Sequence, residues 1–252
     1  MRILAGAWWL AGCVSDAEIA AEMERALGDA SEAMVEVLVS TEVLDQVDDP
    51  PDVTLRDVRH GGDACGCPCT ERLGGGIPYV LTLDYSQYGC VPASGLVPSA
   101  ITGHAVLDYD GQDCRVTWDG LQLSLEHDVT GELGGEVSGG VVAAAGDLAI
   151  GPRDAGIDLS VEVGEDGLTI DGEVTASGAD PRPIRFEGVN LPRSAVAGRC
   201  PTPDAGTATL VDADHPDRSA VIRFGPGGAV TVERGDRVSE DTDWCSYASP
   251  RW

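Results

Sequence analysis

Ile157-Asp158-Leu159-Ser160-Val161-Glu162-Val163, then Gly164-Glu165-Asp166-Gly167, then Leu168-Thr169-Ile170-Asp171-Gly172-Glu173-Val174, is the stretch on which the fold turns. Apolar and polar residues alternate on both sides of a short Gly-Glu-Asp-Gly link. A period of two puts Ile157, Leu159, Val161 and Val163 on one face of a strand and Asp158, Ser160 and Glu162 on the other. The link carries turn chemistry, so the two runs predict a hairpin with one apolar and one acidic face.

The same rule extends outward in both directions. Tyr79 to Tyr85, Ile101 to Tyr109, Cys114 to Trp118 and Leu121 to Val129 read as strands before this hairpin. Gly206 to Val211, Ala220 to Phe224 and Ala229 to Glu233 read as strands after it, the last two joined at Gly225-Pro226-Gly227-Gly228. Residues 132–152 are rich in Gly and Ala and carry a weak strand signal, and 190–205 break the pattern. No strict internal repeat is visible. The expected fold is mainly β: an antiparallel meander sheet, arranged as a sandwich or half-barrel, with an N-terminal amphipathic helix and a small disulfide-closed C-terminal β unit.

Ser15 to about Val47 supplies that helix. Ser15 with Glu18 three residues on forms a capping-box pattern, and Asp16 and Glu18 suit the positive end of the helix dipole. Ile19, Met23, Ala26, Ala30, Ala33 and Val37 recur at steps of four and three, the spacing of one apolar stripe. Gly28 interrupts the run as an expected kink, and Pro50-Pro51 ends it. The expected organisation is a signal segment over 1–12 and a helix over 13–49. A Cys/Gly/Pro-rich connection over 50–77 leads to an antiparallel β domain over 78–190 and a C-terminal β unit over 191–252.

Composition bounds the function. Across 252 residues, 43 acids face 16 basic residues, every one of them arginine, for a formal net charge of -27. Such a chain repels nucleic acid, so no nucleic-acid partner is expected. The 42% hydrophobic content still suffices for a core, built mostly from aliphatic side chains because Phe, Tyr and Trp are few.

Leu10-Ala11-Gly12-Cys13, after a short apolar run from Ile3, resembles the lipobox of bacterial lipoproteins. That resemblance implies cleavage after Gly12, a diacylglyceryl group on the Cys13 sulfur, and acylation of the new amino terminus by a fatty acid such as palmitate. The apolar run is too short to span a bilayer, which takes about 20 residues, whereas a multiply acylated cysteine is a stable anchor. Val14 stands where inner-membrane lipoproteins of enterobacteria carry aspartate, so the resemblance points to the outer membrane. The mature chain, from Cys13 on, loses only Arg2 among its charges and carries -28.

A second resemblance covers the body of the chain. Pro78 to Tyr85, Tyr88-Gly89-Cys90-Val91, Ser94-Gly95, Ile101-Thr102-Gly103, Arg199-Cys200-Pro201, Gly206-Thr207 and Trp244-Cys245 resemble a pattern in bacterial lipoproteins of unknown function, from high-GC bacteria such as myxobacteria. It implies an exported β-rich domain and carries over no catalytic residue. The expected partners are the membrane, through the lipid, and another envelope protein.

Seven cysteines remain beside Cys13, an odd number, so at least one has no intrachain partner. In an exported chain disulfides are the default. Cys200 with Cys245 would close a loop of about 45 residues, worth roughly 4 kcal/mol in the chain-entropy account. Cys90 with Cys114 would brace the first long strand. Cys65, Cys67 and Cys69 staple their loop through disulfides, bind a soft metal such as copper(I) or zinc as thiolates, or serve a redox role. Asp108, Asp110 and Asp113 in one turn, and the acids of 212–217, offer oxygen ligands to calcium but lack the spacing of the twelve-residue calcium loop. They are equally ordinary turn residues.

His60, His104, His127 and His215 stand apart, and no nucleophile elbow or phosphate loop occurs. The expected function is an envelope-anchored lipoprotein with a structural or binding role and no catalytic residue. A metal-binding module is the first alternative and an envelope hydrolase the second.

Overall fold

The computed structural model describes residues 16–48, 68–74, 76–86, 101–123, 127–164, 167–177, 182–192, 202–212 and 219–244. Helix α1 runs without a break over Asp16–Asp48. Thirteen strands follow: β1 (Cys69–Leu73), β2 (Tyr79–Asp84), β3 (Ile101–Tyr109), β4 (Asp113–Leu123), β5 (His127–Ser138), β6 (Val141–Ile150), β7 (Arg153–Val163), β8 (Gly167–Ala176), β9 (Pro183–Pro192), β10 (Ala205–Leu210), β11 (Ala220–Gly225), β12 (Ala229–Arg234) and β13 (Arg237–Asp243). All of them form one antiparallel sheet in strict chain order. Each strand pairs with its sequence neighbours, the arrangement that short hairpin links impose.

The hairpin at 157–174 has the expected register, Leu159 opposite Gly172 and Val161 opposite Ile170. One face of the sheet is buried: Leu81, Leu107, Val116, Leu133, Val142, Leu159, Val161, Ile170, Phe186, Val189, Ile222 and Val232 have almost no exposure. The other face carries the acids, with exposed cross-strand pairs such as Arg115–Glu132 (3.1 Å), Arg185–Glu173 (3.2 Å) and Arg223–Glu233 (3.0 Å). Pairs this exposed add little stability. Among the described residues no helix is long and apolar enough to cross a membrane.

Several elements differ from the sequence reading, each for a physical reason. The run Leu121 to Val129 is not one strand. Its start completes β4 and its end opens β5, because Gly120, at φ +67°, lets β4 continue through a register shift. The Gly/Ala-rich run is two long strands, β5 and β6, joined by a tight turn at Gly139 and Gly140, both with φ > 0. Its small residues are a requirement of geometry. A Cβ at Gly131 (φ +147°) would sit 2.3 Å from the Asp147 carbonyl oxygen, and one at Gly146 would sit 2.1 Å from that of Glu132. Strand β9 lies in a segment without clean alternation, and β10 pairs with it, so the strands after residue 191 continue the same sheet. Among the cysteines, Cys114 is a free thiol buried on the inner face of β4. The expected Cys90–Cys114 bridge is therefore not made, and burial, with Asp113 beside it, pushes the Cys114 thiol up to about 11.

Helix α1 lies on the buried face of the sheet, with contacts from β3 to β12. From Ala33 to Asp45 every residue is buried, whichever way it points. Met34, Val35, Leu38, Val39, Val43 and Leu44 join the one stripe legible in sequence. Buried hydroxyls are satisfied within the helix, Ser40 donating to the Glu36 carbonyl at 2.8 Å and Thr41 to that of Leu38 at 3.1 Å.

Candidate binding site

Two arginines of the sheet fasten α1. Near the helix start, Arg234, buried at the end of β12, pairs with Glu22. At mid-helix, Arg153, the first residue of β7, reaches Glu32 with Nη1 and Glu36 with Nε, the latter at 2.5 Å. Glu32 and Glu36 are four residues apart, so helical geometry puts both on one face, toward the same guanidinium. Farther along, Glu42 lies beside the buried Tyr85, just past β2, and burial and that charge hold the Tyr85 phenol well above its ordinary range.

The Arg153 clamp borders a cleft of about 220 Å³, lined by Glu32, Val35 and Glu36 of α1 and by His127, Ile150, Pro152 and Arg153. These sheet residues come from the start of β5, the end of β6, the link after it and the start of β7, which antiparallel pairing brings to one end of the sheet. Gly151, at φ +59°, makes that link tight, with the His127 ring against it. Val35, Ile150 and Pro152 give apolar walls. Glu32 and Arg153 are partly exposed at 27% and 22%, whereas the Glu36 side chain is only 1% exposed.

Glu36 is the anomalous group. Its Oε1 meets Arg153, but among the described residues its buried Oε2 accepts no hydrogen bond. Leaving a buried acceptor without a donor costs about 1–3 kcal/mol, more when it is charged. Burial pushes its carboxyl from 4.5 up to about 8. A buried, shifted carboxyl beside an apolar cleft is the physical signature of a binding or reactive site.

None of the residues singled out in sequence as ligands lies here. Cys13, Cys65, Cys67, Cys90, Cys200 and Cys245 fall outside the described residues, and so does the Cys200–Cys245 pairing. Cys69 is disulfide-bonded, and a disulfide sulfur is not the thiolate a soft metal takes. The Asp108, Asp110 and Asp113 turn is a hairpin end: Asp110 Oδ1 accepts from the backbone of Gln112 at 2.9 Å and of Asp113 at 2.8 Å. Those bonds hold the Asp110 carboxyl below its ordinary value. Among the described residues no three His, Cys, Asp or Glu side chains are grouped to hold a metal ion.

Of the residues that converge, the sequence singles out only His127, as an isolated histidine, while Glu32, Glu36 and Arg153 carry no local signal of a site. The missed signal is the run Met34, Val35, Val37, Leu38, Val39, too apolar around the helix for one side to remain wet. No known protein family matches the chain, and neither a curated protein nor a solved structure matches it.

Proposed function

We propose that this chain is an envelope-anchored lipoprotein whose body is a small-ligand binding module. The observation that carries the binding role is the cleft with apolar walls whose lining includes the buried, half-unpartnered carboxyl of Glu36. The anchoring rests on Leu10-Ala11-Gly12-Cys13, which stands only three residues ahead of Asp16, the first residue of α1. A lipid on Cys13 would thus tether the helix that forms the spine of the body.

The body is read as a half-barrel wound on that spine. Between Glu22, which meets Arg234 of β12, and Glu42, which meets Tyr85 just past β2, α1 advances by 20 residues, about 30 Å. The ten interstrand steps from β2 to β12 measure about 48 Å along the sheet. A sheet path longer than the stretch of helix that reaches both its ends supports a sheet curled around that helix. Glycines supply the bending: register shifts fall at Gly103, Gly120, Gly172 and Gly206, all with φ > 0.

The anchoring is tested by feeding labelled palmitate to the host. Label is expected in the intact protein and lost in Cys13→Ala, with the unlipidated variant released from the membrane fraction; label retained by Cys13→Ala would overturn it.

A further inference from the structure

We propose that the cleft beside Glu36 takes a small organic cation, a primary ammonium carried on a short apolar group. This rests on reading the cleft as a binding seat and adds the chemical class of its occupant. The charge count comes first. Once Glu36 is ionised, Glu32 and Glu36 on α1 set two carboxylates against the one guanidinium of Arg153 of β7, with His127 of β5 completing the polar lining. Arg153 already spans both carboxylates, so an anionic ligand would meet two negative groups and an engaged cation.

The hydrogen-bond count agrees. Glu36 Oε2 is a buried acceptor with no donor among the described residues, and an ammonium brings three. A charge-assisted bond from a bound N–H is stronger than one from a neutral group. The apolar walls, Val35, Ile150 and Pro152, suit a hydrocarbon tail. The volume of about 220 Å³ lies below the roughly 300–1,000 Å³ of drug-sized pockets, so the tail is short.

The occupant needs the carboxylate form of Glu36, which is half developed at pH about 8 and prevails above it. Affinity for the ammonium is thus expected to rise as pH climbs from neutral through that value.

The test is a calorimetric titration of the full-length chain with hexylammonium, hexanoate and hexanol, just above that pH. Hexylammonium is expected to bind, with at least about a tenfold loss in Glu36→Gln and a smaller loss in Glu32→Gln at the mouth. Far-ultraviolet circular dichroism checks that both variants fold, and Glu32→Gln keeps the test open if Glu36→Gln does not. Hexanoate or hexanol binding as well as hexylammonium, and blocked by Ile150→Trp, would overturn the cation class while leaving the cleft a binding seat. No binding by any of the three probes would overturn both.

Discussion

Gly28 and Gly172 are the same residue type in opposite physical situations. Gly28 sits mid-helix at ordinary φ, and a Cβ there would touch nothing within 4 Å. Gly28→Ala is expected to raise stability by about 0.5–1 kcal/mol, through helix propensity and a less free unfolded chain. Gly172 sits at φ +139°, and its Cβ would lie 2.1 Å from the Asp158 carbonyl oxygen. Gly172→Ala should cost about 2 kcal/mol or more by urea denaturation, combining backbone strain with a forced shift of β7. Equal effects of the two substitutions would contradict the close approach of Gly172 to the β7 backbone. Glu36 gives a third residue-scale expectation. Its carboxyl keeps a proton in the native state that the unfolded chain has released between pH about 4.5 and about 8. The native state binds more protons there, so stability contributed by this group falls as pH rises through that window. Glu36→Gln should flatten this decline in urea midpoints; parallel profiles for the two proteins would contradict it. The Asp171-Gly172-Glu173 step shows what was legible: alternation announces the strand, but nothing local says that position 172 has no room for a Cβ, because the clash arises with a neighbouring strand.

At the scale of elements, α1 separates what periodicity reveals from what tertiary burial decides. Its existence and ends are readable from Ser15, the i, i+3/i+4 stripe and Pro50-Pro51. Its surroundings are not, since a single stripe implies one packed face and the structure buries the helix all round from Ala33 to Asp45. Leu38 and Val43, 0% and 1% exposed, lie about 140° apart around the helix axis. Leu38→Ala and Val43→Ala should each cost about 2 kcal/mol or more, because both leave cavities in dry surroundings. A helix lying on a flat sheet would lose stability at one of them only. The strands tell the complementary story. Hairpins with Val, Leu and Ile on the inner face were readable one by one, whereas β5 and β6 hid behind Gly and Ala. The cleft lay beyond reach because Glu36, His127 and Arg153 meet only once those two strands are in place.

For the whole molecule, the acids on the strands, such as Glu132, Asp158, Glu162, Glu173 and Glu187, lie on the outer face of the sheet, opposite the helix. A formal charge of -27 on a body of this size repels itself. Screening shortens from about 10 Å at 0.1 M salt to about 3 Å at 1 M, so the melting temperature should climb with salt, and a flat profile would count against a solvated acidic face. The meander was legible because each strand's partner is its neighbour in sequence; the burial of α1 on all sides from Ala33 to Asp45 was not, because it is decided by tertiary packing. The account stands on that enclosure, since the cleft, the arginine clamps and the perturbed carboxyl exist only where sheet and helix meet. Hydrogen exchange followed by mass spectrometry reads it directly. The amides of residues 31–45 are expected to be protected as strongly as those of β6, β7 and β8, far beyond the exposed start of α1. Exchange over 31–45 as fast as over that first turn, with the strands still protected, would contradict it.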